Sequence, residues 1–286
     1  MRAECHPGDI PAITHFDFRP WDGEEQGKVL ARLAADYDLK RARCTTVLDP
    51  SEYSLLLTEA PDVPAEELRA AIRWRIKDLI DFHINDATLD VFELPAAAGS
   101  GGKVRQMYAV AARSEAIQRR VNLMDAAGVN LDIIDIPELA QRNIAALLPE
   151  DINGVMLLSL NAGGGLITIT KQGEIYMSRN LDTGLEALEL ASDPAAYYDR
   201  IVLEVQRSLD YFDSHFRQAP IGHLVLTPMA RPAPGLVEHL QSNLSVSVHE
   251  LDLAMSVRCP MEIPTAAQAR CLTTIGAALR HEEKAL

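Results

Sequence analysis

The spacing of apolar residues divides the chain into alternating strands and helices. Apolar residues at every third or fourth position predict amphipathic helices, and short apolar or alternating runs predict strands. The predicted helices cover residues 27–37, 64–80, 114–127, 138–147, 194–216, 235–242 and 265–280. The predicted strands cover residues 13–21, 44–48, 53–57, 88–94, 104–111, 130–136, 155–160, 166–170, 174–179, 223–227 and 246–249. Strands that precede helices in each half indicate an α/β protein.

A polar segment that contains a proline, residues 149–153, precedes the second group of strands. We interpret it as the boundary between two lobes, residues 1–150 and residues 151–286. A chain of 286 residues is long enough for two lobes that each bury a core. The similar order of elements in the two halves is typical of a duplicated α/β arrangement, although no repeat is visible residue by residue.

Charge and cysteine content narrow the classes of function. The chain has 27 Lys and Arg against 41 Asp and Glu, and its net charge of -14 repels nucleic acids and anionic lipid surfaces. The four cysteines lack the C-x-x-C spacing and the eight histidines are dispersed, so we expect no metal site and reduced thiols inside the cell. We also expect no signal peptide, because residues 1–10 are polar and contain Pro7 and Gly8. We expect no membrane span, because glycines and asparagines interrupt the most apolar segment, residues 152–169.

Motifs of common enzyme classes are missing from the sequence. It contains no G-x-S-x-G, no H-E-x-x-H and no G-x-x-x-x-G-K-[ST]. The segment Gly101-Gly102-Lys103-Val104 lacks the Ser or Thr of a phosphate loop and precedes a strand, so we interpret it as part of a flexible connection, residues 96–102. No pair of carboxylates stands out from the general acidity, and we therefore assign no catalytic residue.

A run of three glycines lies between two predicted strands, in Asn161-Ala162-Gly163-Gly164-Gly165. Glycines let backbone N–H groups approach a phosphate closely, so one interpretation is a phosphate-binding loop made by Asn161, Gly163, Gly164 and Gly165. The other interpretation is a hairpin turn between two core strands, which is a more common use of glycine. The residues alone leave both interpretations open.

Trp74 stands among basic residues on the predicted helix 64–80. The apolar face of that helix consists of Leu68, Ile72, Ile76 and Leu79. Trp74 lies off this face, and the basic side chains beside it are Arg73, Arg75 and Lys77. An aromatic side chain among basic ones is typical of a protein–protein interface. The alternative is that Trp74 packs under the following segment, which contains Phe82, because tryptophan is mostly buried.

Two later segments add to the pattern. Residues 207–212 (RSLDYF) belong to the long predicted helix 194–216, and their apolar stripe indicates core packing. Gly276 interrupts the last predicted helix. A glycine inside a helix costs about 1 kcal/mol relative to alanine. A close approach of this helix to a sheet would explain that cost.

Four segments together resemble the PilM-like branch of the actin-like ATPase superfamily. They are the glycine run, the Trp74 helix, residues 207–212 and the last predicted helix with Gly276. The most specific parts are residues 48–57 (LDPSEYSLLL) and residues 64–82, which are similar to the signature helix of that family. The resemblance covers nearly the whole chain and implies an α/β fold of the actin-like, ribonuclease H-like type, with a nucleotide cleft between two lobes. It also implies a PilM-type subdomain inserted in the first lobe and a C-terminal helix that returns to that lobe.

The resemblance implies a partner as well. PilM-like proteins are cytoplasmic and bind the short N-terminal tail of an inner-membrane, PilN-like protein. They thereby help to form the assembly platform of a type IV pilus or of a related secretion machine. For this chain, the partner-binding candidates are Trp74, Arg73, Arg75 and Lys77.

Compared with the family pattern, the nucleotide site is incomplete. The second phosphate loop of the family has an Asp, glycines and two threonines, whereas this chain has Asn161, Leu166 and Ile167 in place of the Asp and the threonines. Asparagine lacks the carboxylate that would hold a metal-bound water. The glycine pair expected after the strand 223–227 is also missing. The first strand predicted here is similar to the third strand of the family. We therefore expect the N-terminal hairpin to be absent from this polypeptide, either because the start site is called too late or because this branch has lost the hairpin. The sheet edge that this leaves favours pairing of two copies.

The leading hypothesis is a non-catalytic, cytoplasmic scaffold of a type IV pilus of the MSHA type, held at the inner membrane by its protein partner. This hypothesis expects no cofactor. The alternative is an actin-like ATPase that binds ATP and Mg²⁺ and powers or regulates the assembly. A third hypothesis is a relative of the sugar kinases, which share the fold.

Overall fold

The computed structural model describes residues 1–6, 9–19, 23–96, 105–191 and 193–280. The strands are β1 (Arg2–Glu4), β2 (Ala12–His15), β3 (Cys44–Val47), β4 (Tyr53–Glu59), β5 (Ala87–Glu93), β6 (Gln106–Arg113), β7 (Leu131–Asp135), β8 (Val155–Leu160), β9 (Gly165–Lys171), β10 (Glu174–Leu181), β11 (His223–Leu226) and β12 (Ser247–Glu250). The helices are α1 (Gln26–Asp36), α2 (Ala65–Ile76), α3 (Ser114–Ala126), α4 (Pro137–Ala145), α5 (Leu185–Leu190), α6 (Pro194–Phe216), α7 (Leu236–Asn243), α8 (Leu253–Ser256), α9 (Thr265–Arg270) and α10 (Leu272–Ala278). Turns of 3-10 helix cover Pro50–Glu52, Ile84–Asp86 and Pro149–Ile152.

The described residues form two compact units. The large unit contains residues 1–18 and 138–280, and the small unit contains residues 19–96 and 105–137. No helix within the described part of the chain is both long and apolar enough to cross a membrane.

The large unit is built on a five-stranded sheet with the order β10-β9-β8-β11-β12. Strand β9 runs antiparallel to both of its neighbours, and β11 runs parallel to β8 and β12. When β8 to β12 are numbered 1 to 5 along the chain, their order across the sheet is 3-2-1-4-5, and only strand 2 (β9) runs in the opposite direction. This is the sheet of an actin-like, ribonuclease H-like lobe. Strands β8 and β9 are buried along nearly their whole length, because helices cover both faces of the sheet.

Two apolar clusters hold the helices against this sheet. On one face, here called the α6 face, α6 and α7 contribute Ile201, Val205, Leu209, Phe212, Leu236 and Leu240 to a cluster with Met156, Ile167 and Leu224. On the other, here called the α4 face, the cluster joins Ile144, Leu148, Leu157, Val225, Ile275 and Leu279, together with Ile13 of β2. Residues 207–212 therefore lie on a core helix, as predicted from their apolar stripe.

The small unit contains an antiparallel sheet, β4-β6-β5, and a parallel pair, β3-β7. Helix α2 packs on the three-stranded sheet, and the buried side chains there are Leu68, Ile72, Ile76, Leu89, Val91, Met107, Ala109 and Ala111. Residues of α1 and α3 pack around Ala34, Ala127 and Val129 beside the parallel pair. The dipole of α2 is favourably matched, with two glutamates in its first turn and two arginines in its last.

Several predicted boundaries were wrong. The helix predicted at 64–80 ends at Ile76, and Leu79 is exposed, because the chain turns there to bring Ile80, Phe82 and Ile84 against the α2 core. The helix predicted at 265–280 breaks at Cys271 into α9 and α10. The strand predicted at 13–21, of which residues 20 and 21 lie outside the described part, corresponds to β2, which ends at His15 and pairs with β1, a strand that was not predicted. The loop 96–102 and the segment Gly101–Val104 lie outside the described residues, apart from Ala96.

The boundary between the two compact units differs from the boundary predicted at residues 149–153. The division falls between Pro137 and Glu138, and residues 1–18 belong to the large unit. The reason is packing, because Ile144 and Leu148 of the α4 segment and Ile13 share one cluster with Leu157 and Val225 of the sheet. The assignment of residues 1–150 and 151–286 to two actin-like lobes stays a prediction.

Candidate functional sites: the glycine turn and the Trp74 helix

The segment Asn161–Gly165 forms the turn of an antiparallel hairpin in the large unit. Strands β8 and β9 pair up to Leu160 and Gly165, and the Asn161 N–H donates to the carbonyl oxygen of Gly164 at 2.8 Å. The turn itself is exposed at Asn161, Ala162 and Gly163. The chain therefore makes the hairpin of the second interpretation, whether or not that hairpin binds a phosphate.

The Asn161 side chain satisfies the backbone donors of its own turn. Its Oδ1 accepts from the N–H of Gly163 at 3.0 Å and from the N–H of Gly164 at 2.8 Å. A phosphate loop presents such N–H groups to its ligand. In this turn an amide oxygen already takes that position, so a phosphate would have to displace it.

The glycines of the turn also have a packing role. A Cβ on Gly164 would lie 2.5 Å from the carbonyl oxygen of Leu181, and a Cβ on Gly165 would lie 2.6 Å from that of Ser159. Gly184, which was not predicted from the sequence, packs directly against the turn. A Cβ at this position would lie 2.2 Å from the Gly164 nitrogen. These approaches allow only hydrogen at the three positions, with or without a phosphate.

The backbone after β10 is bonded to the same turn. The N–H of Leu185 donates to the carbonyl oxygen of Asn161 at 2.8 Å, and the N–H of Glu186 donates to that of Ala162 at 2.9 Å. The turn thus supplies acceptors to the first residues of α5. In the sequence, these hydrogen bonds between the turn and α5 are indicated only by a glycine, Gly184, directly before a short amphipathic segment.

Trp74 lies on the surface of the small unit. Its side chain is 71% exposed, while Leu68, Ile72 and Ile76 of the same helix are buried. The alternative that Trp74 packs under the Phe82 segment was therefore wrong. The Phe82 ring instead lies against the guanidinium of Arg113, 4.5 Å from its centroid.

The three basic residues beside Trp74 have different surroundings. Arg73 donates to the carbonyl oxygens of Ile84 at 2.6 Å and Ala87 at 3.2 Å, so its guanidinium holds the turn before β5. Arg75 forms an exposed ion pair with Glu59 at 3.6 Å. The Nζ of Lys77 lies 5.7 Å from the centroid of the Trp74 ring, within the range of a cation–π contact. Trp74, Arg75 and Lys77 are accessible to a partner, whereas Arg73 acts mainly within the fold.

The segment 48–57, one of the two most specific parts of the family resemblance, has a structural role. Asp49 caps the 3-10 turn by accepting from the Ser51 N–H at 3.0 Å, and Glu52 accepts from the Asp49 N–H at 2.8 Å. Arg120 of α3 binds Glu52 and also donates to the Val47 carbonyl oxygen at 2.9 Å. Arg120 was not predicted, because its partner lies 68 residues away.

Part of the sequence matches a known family. A family model described as the type IV pilus assembly protein PilM matches residues 59–190, a segment that includes both the Trp74 helix and the glycine turn. Over these residues, the chain is similar to PilM. No curated protein sequence matches the chain.

One solved structure shares the fold of nearly the whole chain. A chain of the PilM-PilN type IV pilus biogenesis complex is 20% identical, with a TM-score of 0.70, over 97% of this chain and 93% of that chain. The cytoplasmic domain of EpsL, an inner-membrane component of the type II secretion system of Vibrio cholerae, is 11% identical with a TM-score of 0.47, over 90% and 82%. A Bacteroides thetaiotaomicron protein with an actin-like ATPase fold is 9% identical with a TM-score of 0.46, over 86% and 80%. The sheet order and the first of these matches establish the actin-like fold of this chain.

Proposed function

We propose that the chain is a non-catalytic scaffold of a type IV pilus, of the MSHA type and similar to the biogenesis protein MshI, or of a related secretion machine. It binds the cytoplasmic tail of a PilN-like inner-membrane protein and is cytoplasmic, held at the membrane by that partner. A homodimer stays a further prediction.

The exposed Trp74 is the observation that supports this proposal most directly. A tryptophan side chain is large and mostly apolar, so leaving 71% of it in water forgoes the gain of burial. Trp is also among the residues enriched at the centres of protein interfaces. Trp74 lies in the segment that matches the PilM model, and a solved PilM chain is in complex with PilN.

The charges around Trp74 define the tail that would fit. Lys77 lies near the Trp74 ring, and the ion pair that Arg75 makes within the described residues, with Glu59, is exposed and contributes little to stability. Both cations are therefore available to carboxylates. We expect the bound tail to place an apolar side chain on Trp74 and acidic groups beside Arg75 and Lys77.

The glycine turn supports the absence of catalysis. Asn161 already bonds the N–H groups that would bind a phosphate, and Ile167, in the place of a threonine, is fully buried in the α6-face cluster. Neither side chain supplies the carboxylate or the hydroxyl of the family pattern. The alternative, an ATPase that powers or regulates assembly, would need this turn to rearrange.

A binding measurement with tail peptides tests the proposal. Peptides that match the cytoplasmic tails of the inner-membrane proteins encoded beside this chain are titrated with it, with fluorescence anisotropy as the readout. One tail should bind, and Trp74→Ala should weaken that binding by about tenfold or more, as expected for an interface hot spot. Arg75→Glu should weaken it as well and make it less sensitive to salt.

Matched controls separate this site from general surface effects. Leu190→Ala removes another exposed apolar side chain, 88% exposed, in the large unit. Arg119→Glu reverses another exposed charge that is paired, in this case with Glu115 on α3. Both controls should bind the tail like the unchanged protein. Binding of no tail, or equal loss in the controls and in Trp74→Ala, would contradict the proposal.

A further inference from the structure

Glu150, His223 and His249 form a cluster in the large unit, away from the glycine turn in sequence. One ligand atom of each residue lies within 4.8 Å of the others. We propose that these three side chains bind a divalent transition-metal ion of the zinc type. This inference does not depend on the proposed function.

The sheet brings the two histidines together. His223 is the first residue of β11, and His249 lies on β12, where it is paired in parallel register with Val225. Side chains of paired residues in parallel strands lie on the same face, and residues two apart share a face. Val225 belongs to the α4-face cluster, so His223 and His249 both lie on that face. Their ring centroids are 6.3 Å apart.

The third residue comes from a different element on the same face. Glu150 lies in the 3-10 turn Pro149–Ile152, directly after Leu148, which packs in the α4-face cluster. An oxygen of Glu150, Oε1, is 3.5 Å from Nε2 of His249. The Glu150 side chain is only 19% exposed. Three backbone segments thus direct one donor side chain each to a common place.

The cluster contains polar atoms that the protein does not satisfy. Glu150 Oε2 and His223 Nδ1 are both buried from water and find no hydrogen-bond partner among the described residues. A buried acceptor or donor without a partner is costly and therefore uncommon in folded proteins. The pair of His249 with Glu150 Oε1 accounts for neither atom. A bound cation would accept lone pairs from both.

The spacing is close to that of a coordinated ion. In a tetrahedral zinc site with bonds of roughly 2.1 Å, neighbouring ligand atoms lie about 3.4 Å apart. The Glu150 and His249 atoms, at 3.5 Å, already have this separation. The His223 ligand atom lies within 4.8 Å of the other two, and rotation about its side-chain bonds can shorten these distances without a change in the strand.

The donor set defines the class of metal. Two imidazole nitrogens and one carboxylate oxygen favour Zn²⁺, Co²⁺, Ni²⁺ or Cu²⁺ over Mg²⁺ and Ca²⁺, which prefer oxygen ligands throughout. Three protein ligands leave one tetrahedral position for water. The ion would connect β12, which ends the sheet order, to β11 and to the turn that precedes β8.

Metal titration of the whole chain tests the inference. The protein is first purified with a chelator, and the chelator is then removed. Calorimetry with Zn²⁺ should show one site, and Co²⁺ should give the visible absorption of a tetrahedral N and O site. Zn²⁺ should also raise the Tm, because it binds only the folded protein. His223→Ala, His249→Ala and Glu150→Gln should each reduce the affinity by at least about tenfold.

His215→Ala is the matched control, because His215 is an exposed histidine of α6 whose Nδ1 bonds locally to the Tyr211 carbonyl oxygen. It should bind Zn²⁺ like the unchanged protein. If the alanine variants fail to fold, His223→Gln and His249→Gln keep a polar side chain of similar size, and far-UV circular dichroism checks their fold. Failure of the folded chain to bind Zn²⁺, or unchanged affinity in both glutamine variants, would overturn the inference.

Discussion

Gly276 illustrates how a single residue determines the packing of two helices. A Cβ at this position in α10 would lie 2.0 Å from the carbonyl oxygen of Ala140 in α4. The Asn143 side-chain N–H donates to the Gly276 carbonyl oxygen at 2.9 Å, so the contact is also hydrogen-bonded. The sequence predicted a close approach of this helix to a sheet. The approach is instead between two helices, which the helix pattern alone could not distinguish.

We expect Gly276→Ala to destabilise the protein by roughly 3 kcal/mol, because the added methyl group meets backbone atoms that cannot move aside independently. Urea unfolding would measure the change. Gly27→Ala is the control, since Gly27 also lies in a helix, α1, but its Cβ would meet only Leu123 Cδ1 at 3.7 Å. That variant should gain about 0.5–1 kcal/mol from helix propensity. Equal effects of the two substitutions would show that the α4 contact is not the cause.

Other residue-scale features were open to prediction only in part. The position of Trp74 off the apolar face followed from helical periodicity, and its exposure confirms it. The hydrogen bonds that Asn161 accepts from two N–H groups could not be predicted from the sequence, because they depend on the conformation of the turn. The cluster of Glu150, His223 and His249 was also missed, since the three residues are far apart in sequence and only the register of β11 and β12 aligns the histidines.

At the scale of elements, the junction between β3 and β4 depends on charged side chains of another element. Arg120 of α3 binds Glu52, Thr46 and the Val47 carbonyl oxygen. Hydrogen bonds from Ser51 hold the pKa of Asp49 below its ordinary value. Burial raises the pKa of Glu52, but hydrogen bonds from Arg120 and from the Asp49 N–H, with the charge of Arg120, outweigh it and leave this pKa below its ordinary value.

Arg120→Ala should therefore cost about 2 kcal/mol at neutral pH, the usual loss for hydrogen bonds to a charged group. A carboxyl group with a lowered folded-state pKa stabilises the protein above its unfolded-state pKa, and this contribution is lost as the pH falls through the folded-state value. The difference in unfolding free energy between Arg120→Ala and the unchanged protein should thus shrink below about pH 4. Denaturant unfolding at several pH values would measure it.

Arg119→Ala provides the comparison on the same helix, because Arg119 pairs with Glu115 in an exposed i,i+4 pair. Its cost should be no more than about 0.5 kcal/mol at any pH. A difference for Arg120→Ala that does not depend on pH would mean that its packing, and not its charge, stabilises the junction.

The order of elements was the most predictable level of this structure. Strand β8 and helix α6 have the predicted bounds, because a short apolar run and a long amphipathic stripe are strong local signals. Helix ends were less predictable, since α2 ends where the chain turns to bring Phe82 against the sheet. Strand β1 has only three residues and depends on pairing with β2, so no local pattern indicates it.

At the scale of the whole molecule, the sequence indicates which elements exist better than which of them pack together. Ile13 lies near the start of the chain, yet it packs in one cluster with Ile144, Val257 and Ile275. Such contacts between distant segments leave no periodic trace. The five-stranded sheet with order 3-2-1-4-5 nevertheless confirms the actin-like fold, which the family resemblance implied and composition alone did not.

Nucleotide binding is the whole-molecule property that most clearly separates a scaffold from an ATPase. An active phosphoryl-transfer site needs phosphate-binding groups, a metal position and an orienting group for the attacking water, which in a two-lobed fold come from both lobes. In the large unit, Asn161 uses the N–H groups of the turn for itself and the buried Ile167 offers no hydroxyl. We therefore expect calorimetry with Mg-ATP to show no binding tighter than about 1 mM, which corresponds to roughly 4 kcal/mol.

The variant Asn161→Asp tests whether the Asp of the family pattern is enough to restore ATP binding. A carboxylate oxygen can still accept from the Gly163 and Gly164 N–H groups, so the variant should fold normally, and its negative charge opposes a phosphate at the same place. Restoring the Asp of the family pattern alone should therefore not create ATP binding. Asn161→Ala frees the two N–H groups and removes the competing oxygen. If the unchanged chain binds Mg-ATP at micromolar concentration and Asn161→Ala changes that affinity, then the turn is a working phosphate loop and the ATPase alternative replaces the scaffold.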